Sequence, residues 1–171
     1  DRNNNKILCE YDNSRRLKKV TSQELETTER SINFTYYTDD AKKNLIQQVT
    51  DPAGRILKFE YDSDDNLTKF TDAKNQTTTY LYDQNARYDH LLTRVNLPRG
   101  NFIENAFTNR KIVSQKTQSG TNISVQYFSN FTKITDENSK VLDFYYNPGK
   151  TGLINKLTSG NINTLYEYTD T

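Results

Sequence analysis

The sequence predicts an all-β fold, a row of antiparallel β-hairpins joined into one curved spiral sheet. Three observations carry that expectation. A short unit recurs along the whole chain, with an aromatic residue at a matching place in each copy. Each copy opens on a run of β-branched and aromatic residues, which suit a pleated, half-buried surface. The i, i+3, i+4, i+7 spacing of an amphipathic helix extends beyond two turns nowhere except, at most, Ser22 to Arg30.

Taken in order, the first unit is residues 7–21, ILCEYDNSRRLKKVT: an extended run, Tyr-Asp, a polar turn, and a second run led by Leu. Residues 32–51 are a looser copy. Residues 56–72, ILKFEYDSDDNLTKFTD, show the pattern best. Leu57, Phe59 and Tyr61 fall on one face of a strand and Lys58 and Glu60 on the other, the period of two of a strand with one face packed. Residues 77–95 open on Thr77-Thr78-Thr79-Tyr80-Leu81-Tyr82. Residues 102–117 are a weak copy with Phe107-Thr108 in place of Tyr-Asp, residues 125–136 and 141–158 are looser ones, and residues 162–170 are truncated. Anchored on Tyr11, Tyr37, Tyr61, Tyr82, Phe107, Tyr127, Tyr146 and Tyr168, the units step by 26, 24, 21, 25, 20, 19 and 22 residues. Eight such units fill residues 1–171 as a single array and leave no room for a separate domain.

Within each unit, Asp12-Asn13-Ser14, Asp62-Ser63-Asp64-Asp65-Asn66 and Asp83-Gln84-Asn85 supply short polar side chains that bond nearby backbone in turns. Asp51-Pro52-Ala53-Gly54, Leu97-Pro98-Arg99-Gly100 and Asn147-Pro148-Gly149 punctuate between runs. The second runs carry apolar residues three apart: Leu17 and Val20, Ile46 and Val49, Leu67 and Phe70, Leu92 and Val95, Phe131 and Ile134, Ile154 and Leu157. In a regular strand that spacing puts the two on opposite faces, so either both faces are partly covered or a bulge intervenes.

Composition narrows the classes of function. The 171 residues are 33% hydrophobic and 26% charged, with a mean hydropathy of −0.95. Such polarity suits a disordered chain, but 12 Tyr and 8 Phe oppose that reading, because disordered segments are poor in aromatics. A net charge of +1 lacks the electrostatic footprint of a nucleic-acid binder. The apolar runs are too short for a membrane span, and no stretch reads as a signal peptide. Without any Met, and opening inside a repeat at Asp1, the sequence reads as a segment of a longer polypeptide.

Tyr-Asp followed by a polar turn and Leu, with Asp-Pro-x-Gly between units, resembles the YD repeat of the RHS family. The matching stretches are EYDNSRRLKKVT, VTDPAGRILKFEYDSDDNLTKFTD and YLYDQNARY, and the resemblance degenerates from Phe102 onward. The chain departs from the family where Arg15-Arg16 and Asp65-Asn66 replace the usual Gly-Arg or Gly-Asn before Leu, and it carries neither the family's aspartyl protease motif nor a toxin tip. The resemblance implies hairpins wound into the wall of a hollow shell, as in bacterial polymorphic toxins, insecticidal toxin complexes, Gram-positive wall-associated proteins and teneurins. The Asn, Lys and Thr bias fits a low-GC bacterium and a secreted or cell-surface protein. Its expected partners are the rest of its own shell, an enclosed C-terminal toxic domain lying elsewhere, and cell-surface carbohydrate. A cut sheet edge also predicts edge-to-edge self-association.

Candidate chemistry is sparse. Asp62-Ser63-Asp64-Asp65-Asn66 resembles the start of a calcium loop but lacks its Gly and distal Glu, and it aligns with turns in sister units. His90, the single His, reads as a strand-end residue without a catalytic partner, and Cys9, the single Cys, as a packing residue with no disulfide or metal partner. Carboxylates suited to glycosidase chemistry would form one unique pair, whereas these acids recur at equivalent turn positions. Arg15, Arg16, Lys18 and Lys19 form a basic patch that reads as a solvated face or a contact for an anionic wall polymer. The aromatics read as cross-strand packing or, if exposed as at Tyr80, as platforms for sugars. Sequons at Asn33, Asn66, Asn75, Asn122 and Asn130 matter only in a eukaryotic secretory host. No residue is nominated as catalytic, cofactor-binding or metal-binding, and no cofactor is expected. The expectation is a non-enzymatic shell segment, with a carbohydrate- or surface-binding module as the alternative.

Overall fold

A computed structural model describes residues 6–23, 30–84, 90–147 and 152–168. These residues form fifteen antiparallel strands and no helix, in one sheet whose spatial order follows chain order and does not close. The helical spacing noted from Ser22 to Arg30 leaves Ser22 in a strand, with Arg30 opening the next; residues 24–29 lie outside the described residues. The chain divides into two compact units, Asp1–Tyr80 and Leu81–Thr171.

The first unit contains β1 (Lys6–Tyr11), β2 (Leu17–Gln23), β3 (Arg30–Tyr36), β4 (Ile46–Thr50), β5 (Ile56–Tyr61) and β6 (Leu67–Thr71), and the division falls within β7 (Thr77–Tyr82). Register places Ile32, Phe34 and Tyr36 of β3, Val49 of β4, Leu57, Phe59 and Tyr61 of β5 and Phe70 of β6 on one face. The opposite face carries cross-strand ion pairs, Lys19 with Glu10 at 3.7 Å and Lys69 with Glu60 at 2.9 Å.

The second unit contains β8 (Leu92–Asn96), β9 (Phe102–Thr108), β10 (Lys111–Thr117), β11 (Asn122–Tyr127), β12 (Phe131–Thr135), β13 (Val141–Tyr146), β14 (Ile154–Ser159) and β15 (Ile162–Leu165). Val125, Ile134 and Leu142 pair across three strands, with Phe144 opposite Leu157 on the same face. The other face carries Glu104 between Arg94 at 3.9 Å and Lys116 at 3.2 Å. In neither unit is any described apolar side chain buried; the buried residues are Thr21 and Thr132. Apolar side chains are screened by lateral neighbours instead, as Phe59 is by Phe70 with ring centroids 5.3 Å apart.

One turn is built five times. Oδ1 of Asp12 accepts the backbone N–H of Ser14 and Arg16, and Asp51, Asp62, Asp72 and Asp136 do the same for the residues two and four further on. In each, the fourth residue is left-handed: Arg15 (φ 61°), Gly54 (77°), Asp65 (63°), Asn75 (60°) and Ser139 (62°). This is the three-residue hairpin loop in which a type I turn leads into a glycine-type bulge. Leu97–Asn101 and Thr117–Thr121 close the same backbone loop with Gly100 and Gly120 in place of a carboxylate-capped turn.

A second irregularity explains the apolar residues spaced three apart. Tyr11 faces Leu17 while Glu10 faces Lys19, so Lys18 is an extra residue. Gln47, Thr68 and Asn155 are extra in the same way, opposite the ends of β3, β5 and β13. The bulge returns Leu17 and Val20, Ile46 and Val49, Leu67 and Phe70, and Ile154 and Leu157 to a shared face. Phe131 and Ile134 have no bulge between them and lie on opposite faces. The register also moves the second anchor from Tyr37 to Tyr36, the residue that faces Ile46 as Tyr11 faces Leu17 and Tyr61 faces Leu67. Tyr11, Tyr36 and Tyr61 are then 25 residues apart at each step.

Candidate functional site

Local structure accounts for most of the residues singled out from sequence. The Asp62 carboxylate turns back into its own loop, with Oδ2 accepting from Asn66 Nδ2 at 3.0 Å, as a turn cap rather than an outward-facing ligand. Among the described residues no three His, Cys, Asp or Glu side chains gather around a common point. Backbone and side-chain hydrogen bonds from Arg16 hold Asp12 below the usual carboxylate range, and the Arg55 side chain does so for Asp51. Cys9 is exposed on β1. His90 is exposed with φ 47°, two residues ahead of β8, while Tyr88 and Asp89 lie outside the described residues.

The basic patch is dispersed by its own neighbours. Arg16 pairs with Asp12 at 2.7 Å, donates to the Lys43 carbonyl and covers the Tyr36 ring at 4.3 Å, and Lys19 pairs with Glu10. Of the sequon residues, Asn33, Asn75, Asn122 and Asn130 are exposed, and Asn66 is half-buried beside Asp62.

Tyr11, Tyr61, Tyr82, Tyr127 and Tyr146 end odd-numbered strands, Tyr37 directly follows β3, Phe107 is next to last in β9, and Tyr168 lies three residues beyond β15. Tyr37, Tyr61, Tyr82, Phe107 and Tyr146 are half-buried, whereas Tyr11, Tyr127 and Tyr168 are exposed. Tyr37 meets Tyr61 edge to face, with centroids 6.0 Å apart, and donates its hydroxyl to the Phe59 carbonyl at 2.9 Å. Burial raises the pKa of both phenols. A related staple recurs at Tyr36, Tyr127 and Tyr168, whose hydroxyls donate to the carbonyls of Leu17, Ile112 and Ile154 at 2.9, 3.0 and 2.7 Å. Leu17 and Ile154 open even strands and Ile112 is the second residue of one, and each lies next to a bulge, where the ladder of backbone bonds is interrupted.

The second unit carries a groove of about 1100 Å³ where aromatics and cations collect. Phe128, Phe131 and Tyr145 stack in sequence, with centroids 4.2 and 5.1 Å apart. Tyr127 is pinned through its hydroxyl to Ile112, and Tyr146 through its own to Thr132 at 2.7 Å. Lys111 lies 4.9 Å from the Tyr127 centroid and Lys156 lies 5.3 Å from that of Tyr145. No carboxylate stands among the described lining residues, whose remaining polar groups are amides and hydroxyls. Sequence reading did not find this groove, because Lys111, Tyr145 and Lys156 come from three different strands. The Tyr127-Phe128 and Tyr145-Tyr146 doublets were its one local sign.

No family model matches the chain, and no curated protein matches it.

Proposed function

We propose that this chain is a wall segment of an RHS-type, YD-repeat shell, secreted or displayed at a bacterial cell surface, which encloses or presents a toxic C-terminal domain located elsewhere. The observation that carries the reading is repetition without a core. The same Asp-capped turn and the same bulge recur, each unit keeps one apolar and one charged face, and no described apolar side chain is buried. Repeats of this kind stack to bury what none of them covers alone. In this reading the hairpins continue into a curved spiral sheet, the partners are the rest of the shell and its cargo, and the segment itself is not an enzyme. Exposed edges would otherwise draw copies into edge-to-edge association.

Electron microscopy of the full natural polypeptide tests this. The expected result is hairpins continuing on both sides into an enclosing wall, with a C-terminal domain resistant to protease until the wall is opened. A polypeptide that ends near this segment and holds no enclosed domain would remove the shell reading. The groove in the second unit favours a second reading, a surface-binding module, and that reading gains if the chain alone is monodisperse and binds glycan saturably.

A further inference from the structure

We propose that one loop end of the second unit docks on an anionic lipid bilayer, lying in its interface without crossing it. The inference goes beyond the shell reading and does not depend on it, since the surface is built within β9 to β15 and the loops between them.

The first observation is what stands in place of an acid. Antiparallel strands in chain order bring the β9–β10, β11–β12 and β13–β14 loops to the same end of their strands. In the first unit, the loops after Tyr11 and Tyr61 begin with Asp12 and Asp62, whose carboxylates cap the turn. The residues after Phe107, Tyr127 and Tyr146 are Thr108, Phe128 and Asn147. At Phe128 the exchange gives up a capping carboxylate and leaves an aromatic residue 47% exposed. Neither change helps the turn, and both suit a surface that is apolar and negatively charged.

Shape comes second. Phe128 and Phe131 close the β11–β12 turn, with the Phe128 N–H donating to the Phe131 carbonyl at 2.9 Å and the rings stacked 4.2 Å apart. Phe131 stacks in turn on Tyr145 at 5.1 Å, so Phe128 stands at the hairpin tip on a fixed base. Beside it Tyr127 is exposed, its hydroxyl held by the Ile112 carbonyl, and exposed Leu165 lines the same groove. Side chains fixed in advance lose little freedom when they enter the interface.

Charge comes third. Lys111 and Lys156 lie 4.9 Å from the Tyr127 centroid and 5.3 Å from that of Tyr145, and neither ammonium forms an ion pair among the described residues. Their stems can follow the apolar edge while the ammonium groups reach lipid phosphates. Lys133, 5.9 Å from the Phe128 centroid, has Asp143 opposite it in register. Among the described residues from β9 onward, the acid at this end is Glu167, against the cations Arg110, Lys111 and Lys156. Asp136 and Glu137 sit in the β12–β13 loop at the opposite end. A soluble anion would meet the lysines and leave Phe128 in water. A neutral bilayer would cover Phe128 and leave the lysines unused.

Co-sedimentation of the full chain with vesicles at low ionic strength tests the proposal, using phosphatidylcholine that contains about one third phosphatidylglycerol. Vesicles of phosphatidylcholine alone should bind about tenfold more weakly or worse. Lys111→Gln with Lys156→Gln should weaken binding about tenfold or more, while Lys18→Gln with Lys58→Gln in the first unit leaves it unchanged. Phe128→Asp, which restores the acid of the repeat, should abolish binding with an unaltered circular dichroism spectrum. The chain has no Trp, so Phe128→Trp supplies a single reporter, whose emission should shift to the blue and be quenched by brominated lipid. If the double lysine variant fails to fold, Lys111→Gln alone decides, because that side chain is exposed. Equal binding to neutral vesicles would overturn the role of charge. Release from vesicles by soluble glycerol phosphate would overturn the bilayer in favour of a pocket for one headgroup. Equal retention on immobilised polyglutamate would overturn it in favour of an acidic protein. No binding to anionic vesicles, or binding insensitive to both lysines and to Phe128→Asp, overturns the proposal outright.

Discussion

Arg15 and Ser139 hold φ values of 61° and 62°, where an L side chain crowds its own backbone. The hairpin loop needs a left-handed residue at that place whatever the sequence offers, so substituting Arg15-Arg16 for Gly-Arg changes the strain and not the turn. Arg15→Gly and Ser139→Gly should each stabilise the chain by about 1 kcal/mol, read as a higher urea midpoint. Gly54→Ala should cost a similar amount through backbone strain alone, since a Cβ there meets nothing within 4 Å. Asp136→Ala removes the acceptor for two backbone N–H groups and should cost about 1–2 kcal/mol in the same assay. The capping carboxylates also set an acid limit. Asp12 and Asp51 titrate below their unfolded value, so their contribution is complete above about pH 4 and is lost as pH falls through the lowered folded values. Thermal midpoints should drop over that window, and Asp12→Asn with Asp51→Asn should flatten the drop. Tyr37 and Tyr61 act at the other end. Their phenols titrate above the usual value, so their contribution holds below about pH 10 and is lost as pH rises through the raised folded values.

At the scale of the element, the bulge and the tyrosine work as a pair. The extra residue turns the strand so that Leu17, Ile46, Leu67 and Ile154 rejoin the apolar face, and tyrosine hydroxyls from the following hairpins bond the Leu17 and Ile154 carbonyls. Tyr36→Phe keeps the ring and leaves the Leu17 carbonyl without that donor, for a loss of about 1 kcal/mol. Tyr61→Ala removes a half-buried ring that Tyr37 packs against, and should cost about 2 kcal/mol, less than a fully buried aromatic would. Deleting Thr68 removes the bulge itself and sends Leu67 to the charged face, so chemical denaturation should show a larger loss than Tyr61→Ala. A smaller loss from the deletion would mean that the bulge does not set the register.

For the whole molecule, the governing fact is that no described apolar side chain is buried, although apolar residues line up on one face of each unit. Hydrophobic stabilisation grows with the apolar area removed from water, so half-buried faces supply only part of what a closed core would. Turn caps, cross-strand pairs and tyrosine staples therefore carry an unusual share of the stability. The native chain should bind a hydrophobic reporter dye at neutral pH more strongly than a globular protein of equal length. A native spectrum with no dye enhancement would show that the apolar faces are covered in solution.

The hairpin strands and the turns led by Asp12, Asp51 and Asp62 were legible in the sequence, because period-two alternation and Asp-led polar turns are local properties of the backbone and its neighbours; the same capped turn at Asp72 and Asp136 was not read from it. Leu57, Phe59 and Tyr61 shared a face on that basis, and they do so in the structure. The two readings of the three-residue spacing could not be separated locally, since a bulge is defined by the partner strand; only register showed that Lys18, Gln47, Thr68 and Asn155 are the extra residues. Choosing Tyr36 over Tyr37 depended on register for the same reason. The groove lay further still from the sequence, because Lys111, Phe128, Tyr145 and Lys156 meet only after the five strands β10 to β14 have paired, and proximity across a sheet is a property of the pairing, not of any one segment.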